Sequence, residues 1–345
     1  MIKILHSGDW HLDAPLQGSP LLRRELGKIP GKIAELCKAE SCDLMLLSGD
    51  LFDGAYSRET YRAVYDALES VRIPVFIAPG NHDPMGPDSP YEREVWPENV
   101  FIFTKQQIQW VDLPELSCRV YGAGFQSMDC PALLENFRAE GLSVGVFHGD
   151  PVQVNSPYNP VSRQQAAESG LAYLALGHIH KGGAFRAGDT LCAWPGCPMG
   201  KGWDETGEKG VLIVTLAETA QAKFVPLDGP RFYDLTVDVQ KGLSAVLPGG
   251  ESEDFYRVTL TGEAEAVDPD ALRKEFPGLP NLQLRDHTRT PVDVWKSLGE
   301  DSFEGVYFGI LKEALQNAAP EEAEQILLAA RIARQLLDGQ EVALP

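Results

Sequence analysis

The sequence contains no long hydrophobic run and no pattern that marks a protein for export. Hydrophobic residues make up 43% of the 345 positions. No stretch approaches the about 20 consecutive apolar residues that a membrane-spanning helix requires. The first residues, Met1 to His6, have the pattern of a β-strand rather than that of a signal peptide. The sequence therefore predicts a soluble, cytoplasmic protein without a membrane span.

The cysteines form no CxxC pair and have no zinc-finger spacing. An even number of cysteines is compatible with disulfides, but a chain of this length without an export signal is more typical of the reducing cytosol. We therefore predict that all of them are free thiols without a role in the chemistry. The six cysteines are Cys37, Cys42, Cys118, Cys130, Cys192 and Cys197.

Positive charges are few, because 30 Lys and Arg stand against 50 Asp and Glu, for a formal net charge of −20. Binding to nucleic acid usually depends on Lys and Arg, so this balance argues against a nucleic-acid substrate. An acidic surface that serves solubility is a second explanation. Bound divalent ions or a basic partner subunit are a third, since either supplies positive charge. The charge alone leaves the substrate open.

Short β-rich runs alternate with helical patterns over about the first 200 residues, which is typical of an α/β domain. The predicted helices cover residues 21–39, 58–70 and about 132–139. A hairpin of residues 210–216 and 223–226 completes the predicted sheets. The other predicted strands cover residues 2–6, 43–48, 74–78, 100–103, 107–111, 119–121, 143–147 and 173–176.

A change of composition near residue 230 predicts three regions: the α/β domain (1–230), a small α+β domain (231–290) and a helical region (291–345). In the helical region, Asp301 and Glu304 have the spacing of a capping box. A second helix begins near Pro320 and ends at Gly339. Each helix has an apolar stripe, which either packs within the protein or binds a partner. The stripes are Phe303, Tyr307, Ile310, Leu311 and Ala314, and then Ile326, Ala329, Ala330, Ala333, Leu336 and Leu337.

Five short polar motifs each follow the carboxyl end of a predicted strand, where ligand sites gather in α/β sheets. They contain five of the seven histidines, which packing alone does not explain. The motifs are Asp9-Trp10-His11, Gly49-Asp50-Leu51-Phe52-Asp53, Gly80-Asn81-His82-Asp83, His148-Gly149 and Gly177-His178-Ile179-His180.

This mixture of His, Asp and Asn favours a site for two divalent ions. Such ions lie about 3.5–4 Å apart and need a bridging ligand together with several nitrogen and oxygen donors. Mixed donors suit Mn²⁺, with Fe²⁺ or Zn²⁺ as alternatives. The glycines before Asp50, Asn81 and His178 allow sharp turns where the strands end. An extended residue between His178 and His180 places both side chains on one side, so that each can serve one metal.

The order D-x-H, GDxxD, GNHD, H and GHxH resembles the signature of the calcineurin-like metallophosphoesterases. Within that superfamily, the segments 5–12, 176–180, 194–196 and 205–210 are similar to the SbcD-type DNA-repair nucleases, including the shorter proteins of the YhaO kind. The resemblance covers residues 1 to about 230 and implies a two-sheet α/β/β/α metallophosphoesterase sandwich. A small α+β cap and C-terminal helices would follow it.

The resemblance also implies residue roles. It assigns the first metal to Asp9, His11, Asp50 and His180. Asp50 would bridge to a second metal, which the side chains of Asn81, His148 and His178 complete. His82 would not bind metal; it would act on the phosphate as general acid or as a transition-state stabiliser.

The remaining polar and aromatic candidates have weaker assignments. Asp83 is predicted to orient His82, and Asp53 to support a ligating histidine, with turn capping as the alternative for both. His6 is predicted to be a hydrogen-bonded histidine of the strand. Trp10 either stacks on a base or packs beside the metals. Three further residues are predicted to contact substrate after the last motif: Trp194, Lys201 and Trp203.

The resemblance favours a metal-dependent DNA nuclease, acting as exonuclease or single-strand endonuclease by a two-metal mechanism in DNA repair. A phosphodiesterase or phosphatase for small phosphate esters or phosphoproteins is the first alternative. A non-catalytic scaffold that binds DNA ends or an ATPase is the second. The expected partners are DNA, an SbcC-like ATPase docked on the helices after Pro291, and a second copy of the chain in a homodimer.

Overall fold

Two six-stranded sheets, built from residues between Ile2 and Pro226, form the largest part of the structure. The computed structural model describes residues 1–16 and 18–339. Their strands in chain order are β1 (Ile2–Ser7), β2 (Leu44–Leu47), β3 (Val75–Ile77), β4 (Val100–Ile102), β5 (Gln109–Leu113), β6 (Cys118–Gly122), β7 (Ser143–His148), β8 (Tyr173–Gly177), β9 (Lys181–Ala187), β10 (Thr190–Gly196), β11 (Gly210–Leu216) and β12 (Ala220–Pro226).

The first sheet has the strand order β12-β11-β1-β2-β3-β4. Strands β1 to β4 are parallel, with Ile4 opposite Leu44 and Met45 opposite Val75. Strands β2 and β3 are buried along their whole length, which explains why their sequences are continuous apolar runs. Since parallel strands end at the same edge, the motifs after β1, β2 and β3 are brought to one side of the sheet.

The second sheet has the order β5-β6-β7-β8-β10-β9, with antiparallel edge strands and a parallel centre. His148 at the end of β7 is opposite Gly177 at the end of β8. One hydrophobic cluster joins the inner faces of both sheets, with residues such as Ile4 and Phe76 packed against Val144 and Tyr173. The α/β two-sheet sandwich predicted from the sequence is therefore confirmed.

Helices cover the outer faces of the two sheets. A second cluster packs the first sheet against the early helices, and a third packs the second sheet against a short helix. The helices of this part of the chain are α1 (Pro20–Gly27), α2 (Ile29–Ala39), α3 (Arg58–Val71), α4 (Pro90–Arg93) and α5 (Arg163–Glu168).

Two helix predictions need correction. The helix predicted over 21–39 is two helices, and Pro30, which has no N–H, stands in the first turn of α2 after the break at Lys28. No helix forms over 132–139. There the backbone N–H of Leu133 donates to Asn159 Oδ1 at 2.9 Å, and that of Ala139 donates to the Ser169 carbonyl at 2.7 Å. These tertiary hydrogen bonds replace the helical ones.

By its internal contacts the described chain divides into two compact units. The first comprises Met1–Asp234 and Ser252–Tyr256; the second comprises Leu235–Glu251 and the chain from Arg257 onward. The later elements are β13 (Phe232–Asp238), β14 (Phe255–Thr261), α6 (Pro269–Lys274), β15 (Leu282–Asp286), α7 (Phe303–Asn317) and α8 (Pro320–Leu337), with the three strands forming one sheet in the order β13-β14-β15.

The C-terminal helix pair is organised around the buried guanidinium of Arg334. It donates to Glu304 at 2.5 Å and to Ser297 at 2.9 Å, and lies 4.1 Å from the ring centroid of Phe308. The capping prediction was wrong, because Ser302 rather than Asp301 accepts the N–H of Gly305. Glu304 is occupied by Arg334 instead.

Several negative and minor predictions also have an outcome. No helix among the described residues is long and apolar enough to span a membrane. All six cysteines are free, as predicted. His6 is fully buried in β1, with Nδ1 2.7 Å from the Tyr173 hydroxyl and Nε2 3.1 Å from Ser48 Oγ, which confirms it as a satisfied strand histidine.

Candidate metal centre

The structure brings the five polar motifs together where β1, β2, β3, β7 and β8 end. The strands come from both sheets of the sandwich, so that one cluster of side chains bridges the two sheets. All seven predicted ligands take part in it: Asp9, His11, Asp50, Asn81, His148, His178 and His180.

A first group of donors consists of Asp9, His11 and His180, whose ligand atoms all lie within 4.8 Å of one another. The Nε2 atoms of His11 and His180 are 3.0 Å apart. Asp50 reaches this group, because its Oδ2 is 3.6 Å from His11 Nε2. These are the side chains that the sequence assigned to one metal.

A second group lies on the other side of Asp50. Asn81 Oδ1 is 2.8 Å from His148 Nε2 and 3.3 Å from His178 Nδ1. The same Asp50 Oδ2 that approaches His11 is 3.4 Å from His148 Nε2. One carboxylate oxygen therefore stands between two sets of donors, as a bridging ligand does.

Hydrogen bonds fix how three of the histidines face the centre. His148 Nδ1 donates to the Ser48 carbonyl at 2.9 Å, which leaves the Nε2 lone pair directed at Asn81 and Asp50. His11 Nδ1 is 3.2 Å from Asp53 Oδ1, and His180 Nδ1 is 2.5 Å from Glu205 Oε1. In each case the outer nitrogen is bound to an acceptor, which is the arrangement that prepares histidine to ligate a metal.

The charges of the cluster fit divalent cations. Asp9 Oδ2 is buried and has no hydrogen-bond partner among the described residues. Burial raises the pKa of Asp50 well above its usual range, and the carboxylates of Asp83 and Asp9 raise it further. Burial also lowers the pKa of His11, and lowers that of His178 to about 4, which keeps both rings neutral. Neutral imidazoles together with buried carboxylates form a set that a divalent ion satisfies.

Strained backbone holds the donors in place. Four predicted ligands have a positive φ, at 54° for Asp9, 48° for His11, 52° for Asp50 and 94° for His178. Such conformations cost about 1–3 kcal/mol each and collect at functional sites. The preceding glycines contribute in two ways. Gly49 itself has a φ of 89°, whereas a Cβ on Gly80 would lie 2.2 Å from Asp50 Oδ1.

His82 is the exposed member of the cluster, with 45% of its side chain accessible to solvent. Its Nδ1 lies 2.7 Å from Asp53 Oδ1, and its backbone N–H donates to Asp50 Oδ1 at 2.9 Å. Asp53 thus touches both His82 and His11. The hydrogen bond from His11 lowers the pKa of Asp53, and the bond from His82 adds to this, so the carboxylate is ionised at neutral pH.

Asp83 does not have the predicted contact with His82. Its carboxylate accepts the backbone N–H groups of Asp50 (3.1 Å), Leu51 (2.7 Å), Phe52 (3.2 Å) and Gly80 (2.8 Å), together with the Tyr91 hydroxyl (2.6 Å). The turn-capping alternative therefore describes Asp83, and Asp53 is the aspartate that orients His82.

Three of the predicted substrate contacts are wrong. Trp10 is fully buried and donates to Ser7 Oγ at 2.9 Å, so it packs beside the centre and cannot stack on a base. Trp194 lies within β10 and donates to the Lys181 carbonyl at 2.9 Å, because the expected loop is the β9–β10 hairpin. Lys201 pairs with Glu205, and its ammonium is shielded from solvent. Trp203, half-buried against Phe232, remains a prediction.

Two residues near the centre were missed in the sequence. Glu205, which is 5% exposed, holds His180, yet 25 positions separate the two residues. The only sequence signal was its place in the segment 205–210. Tyr158 lies with its ring 4.6 Å from that of His178, in a loop without any recognisable motif.

The family model of the calcineurin-like phosphoesterases matches residues 2–182, which include every motif of the cluster. This protein belongs to that family. The phosphoesterase fold and the grouped His, Asp and Asn donors described above are thus those of a metallophosphoesterase.

Named relatives lie within the same family. The chain is 29% identical over 238 residues to the uncharacterized metallophosphoesterase YhaO of Bacillus subtilis, covering 62% of this chain and 57% of YhaO. It is 23% identical over 369 aligned residues to a subunit of the nuclease SbcCD of the same organism, covering 89% and 92% of the two chains. A crystal structure of TT1561 from Thermus thermophilus matches 65% of this chain and 98% of its own, with a TM-score of 0.42 and 16% identity.

Proposed function

We propose that this phosphoesterase is a metal-dependent nuclease that hydrolyses phosphodiester bonds of DNA. The observation that carries the proposal is the pair of donor groups on either side of Asp50 Oδ2, with an exposed histidine, His82, beside them. Two adjacent cation sites with an open polar edge are what a phosphodiester needs for hydrolysis.

The donor groups give the proposed ligand assignment. Asp9, His11 and His180 would hold one ion, Asn81, His148 and His178 the other, and Asp50 both, with Mn²⁺ as the first choice. The bound ions would supply positive charge for the phosphate oxygens and an activated water. The protein contributes the fixed positions of the donors, which the strained backbone and the hydrogen bonds to the outer histidine nitrogens maintain.

His82 is the proposed acid for the leaving oxygen. Asp53 accepts from Nδ1, which orients the ring and leaves Nε2 as the free nitrogen of an exposed side chain. The carboxylate also stabilises the ring when it carries two protons. In that state Nε2 can give its proton to the oxygen that departs from phosphorus.

DNA is proposed as the substrate because a relative named as a nuclease subunit aligns with 89% of this chain. The net charge of −20 favours the alternative, a phosphodiesterase or phosphatase that acts on small phosphate esters. Two bound divalent ions would offset part of that charge at the site itself, which is where the phosphate must approach.

An ATPase partner of the SbcC kind is proposed to dock on α7. Three large apolar side chains of that helix, Phe303, Val306 and Ile310, are 77%, 60% and 63% exposed. Their spacing places them along one face, which suits an apolar helix of a coiled coil. We expect Val306→Glu to abolish co-elution of this protein with such an ATPase in size-exclusion chromatography. Co-elution without any loss would exclude this docking face.

The decisive experiment is cleavage of labelled single- and double-stranded DNA with Mn²⁺, beside bis-p-nitrophenyl phosphate. Wild type is compared with His82→Ala and with His287→Ala, an exposed histidine outside the motifs. The proposal predicts that wild type and His287→Ala degrade DNA and that His82→Ala does so at least about 100-fold more slowly. Cleavage of the small ester alone would establish the alternative substrate, and no cleavage of either would overturn the enzymatic proposal.

A further inference from the structure

The segment that follows β10 encloses His180, the last histidine of the metal centre. Glu205 Oε1 lies 2.5 Å from His180 Nδ1. The backbone of the same histidine is also held, because the Lys209 ammonium donates to its carbonyl at 3.4 Å and the Cys197 thiol does so at 3.7 Å. Three residues between 197 and 209 thus converge on one side chain and its carbonyl.

Glu205 is itself held by Lys201. The backbone N–H of Lys201 donates to Glu205 Oε2 at 2.7 Å, while the Lys201 ammonium lies 3.1 Å from Oε1. Glu205 is 5% exposed, and 13% of the Lys201 side chain is exposed. A buried ion pair is costly to desolvate and contributes little to stability compared with apolar residues. The pair is directed at the outer nitrogen of a proposed ligand, which suggests a role other than packing.

We infer that Glu205 and Lys201 are positioning residues that set the metal affinity of His180. This inference rests on the proposed metal centre. A carboxylate that accepts Nδ1–H fixes the tautomer with its lone pair on Nε2, fixes the ring plane, and makes the ring a stronger donor. Lys201 keeps the carboxylate of Glu205 in place through two contacts, one from its backbone and one from its ammonium.

The arrangement makes the two cation sites unequal. In the group around Asp9, the histidines His11 and His180 are both backed by carboxylates, Asp53 and Glu205. In the other group, His148 is backed by the neutral carbonyl of Ser48. Substitution of Glu205 should therefore weaken one of two metal-binding events and spare the other.

The test is a calorimetric titration of Mn²⁺ into the full chain after removal of metal with EDTA. Glu205→Ala is expected to weaken one binding event by about 10- to 100-fold and to leave the other within about twofold. Glu205→Gln, whose amide oxygen can still accept Nδ1–H, is expected to lose less. Lys201→Met should shift the same event in the same direction. The matched control is Glu25→Gln, a buried glutamate paired with Arg24, Lys28 and Lys32 away from the motifs.

A second measurement separates positioning from general damage. Nitrogen-15 NMR of the histidine rings in the metal-free protein should show His180 protonated at Nδ1 in wild type and mixed tautomers in Glu205→Ala. If Glu205→Ala does not fold, Glu205→Gln and Lys201→Met carry the titration. Two unchanged binding events in the folded variants would overturn the inference. Failure of wild type to bind Mn²⁺ would instead overturn the metal centre, and normal binding without DNA cleavage would overturn only the nuclease proposal.

Discussion

The Nε2 atoms of His11 and His180 lie 3.0 Å apart, while the Nδ1 atom of each ring is paired with a carboxylate oxygen. Nitrogens whose protons are on the far side of both rings present two lone pairs to each other. Lone pairs at this distance repel unless a cation lies between the rings. The contact is therefore the clearest sign in the structure that the fold is built around a bound metal.

Metal should accordingly stabilise the folded chain. Because the ligands are assembled only in the native state, Mn²⁺ at about 100 times its dissociation constant should add about 2.7 kcal/mol to the free energy of unfolding. Differential scanning fluorimetry with Mn²⁺ and with EDTA measures the effect. The increase in melting temperature should be retained in His287→Ala and reduced in His11→Ala. Identical melting curves with and without metal would argue against the cluster as a cation site.

The ligand cluster could be predicted from sequence because its geometry follows from strand ends. Once β1, β2 and β3 are parallel neighbours, Asp9, Asp50 and Asn81 must meet at one edge. The supporting contacts could not be predicted in the same way. The bond between His180 and Glu205 depends on the path of a loop, and no local pattern encodes that path.

Local patterns also failed where tertiary contacts decided the backbone. Residues 132–139 have helical composition, but their N–H groups bond to Asn159 and Ser169 instead of to one another. The β9–β10 hairpin was missed because its two glycines, Gly182 and Gly183, are typical of loops. In the structure a Cβ on Gly183 would lie 2.5 Å from the Trp194 ring, so the glycine makes room for a buried tryptophan.

Asp83 and Asp53 should affect different properties of the protein. Asp83→Ala leaves several buried N–H groups without an acceptor and should cost about 3 kcal/mol or more in the free energy of unfolding. Asp53→Asn, which is near the surface end of the cluster, should cost about 1 kcal/mol or less yet lower the turnover number by at least about tenfold, since it contacts His82 and His11. Urea denaturation and steady-state hydrolysis of bis-p-nitrophenyl phosphate measure the two effects. A reversed pattern would return the orienting role to Asp83.

A methyl group at Gly80 should disturb the bridging carboxylate. A Cβ there would lie 2.2 Å from Asp50 Oδ1 and 2.8 Å from the Asp50 backbone nitrogen, so Asp50 must move. We expect Gly80→Ala to lower Mn²⁺ affinity by at least about tenfold, because ligand positions tolerate little displacement. Gly86→Ala is the control, since a Cβ at that position would have no described heavy atom within 4 Å apart from its chain neighbours. Equal metal affinity in the two variants would show that Asp50 can shift without consequence.

His6 should make the stability of the first unit fall in mild acid. Burial lowers the pKa of His6 from 6.5 to about 3 in the folded chain. Between these values the unfolded chain binds a proton that the folded chain does not, so stability decreases as the pH falls below 6.5. The loss from this residue is about 2 kcal/mol between pH 7 and pH 5.

The measurement is urea denaturation in EDTA at pH 7 and pH 5, followed by tryptophan fluorescence. His6→Gln should be less stable than wild type at pH 7, because its bonds to Tyr173 and Ser48 are altered. Its stability should nevertheless fall by about 2 kcal/mol less than that of wild type on moving to pH 5, because glutamine does not titrate. The other buried histidines, His11 and His178, remain in both proteins and cancel in the comparison. An equal decrease in wild type and variant would mean that His6 takes up its proton without unfolding, and that the hydrogen bonds around it can accommodate the charge.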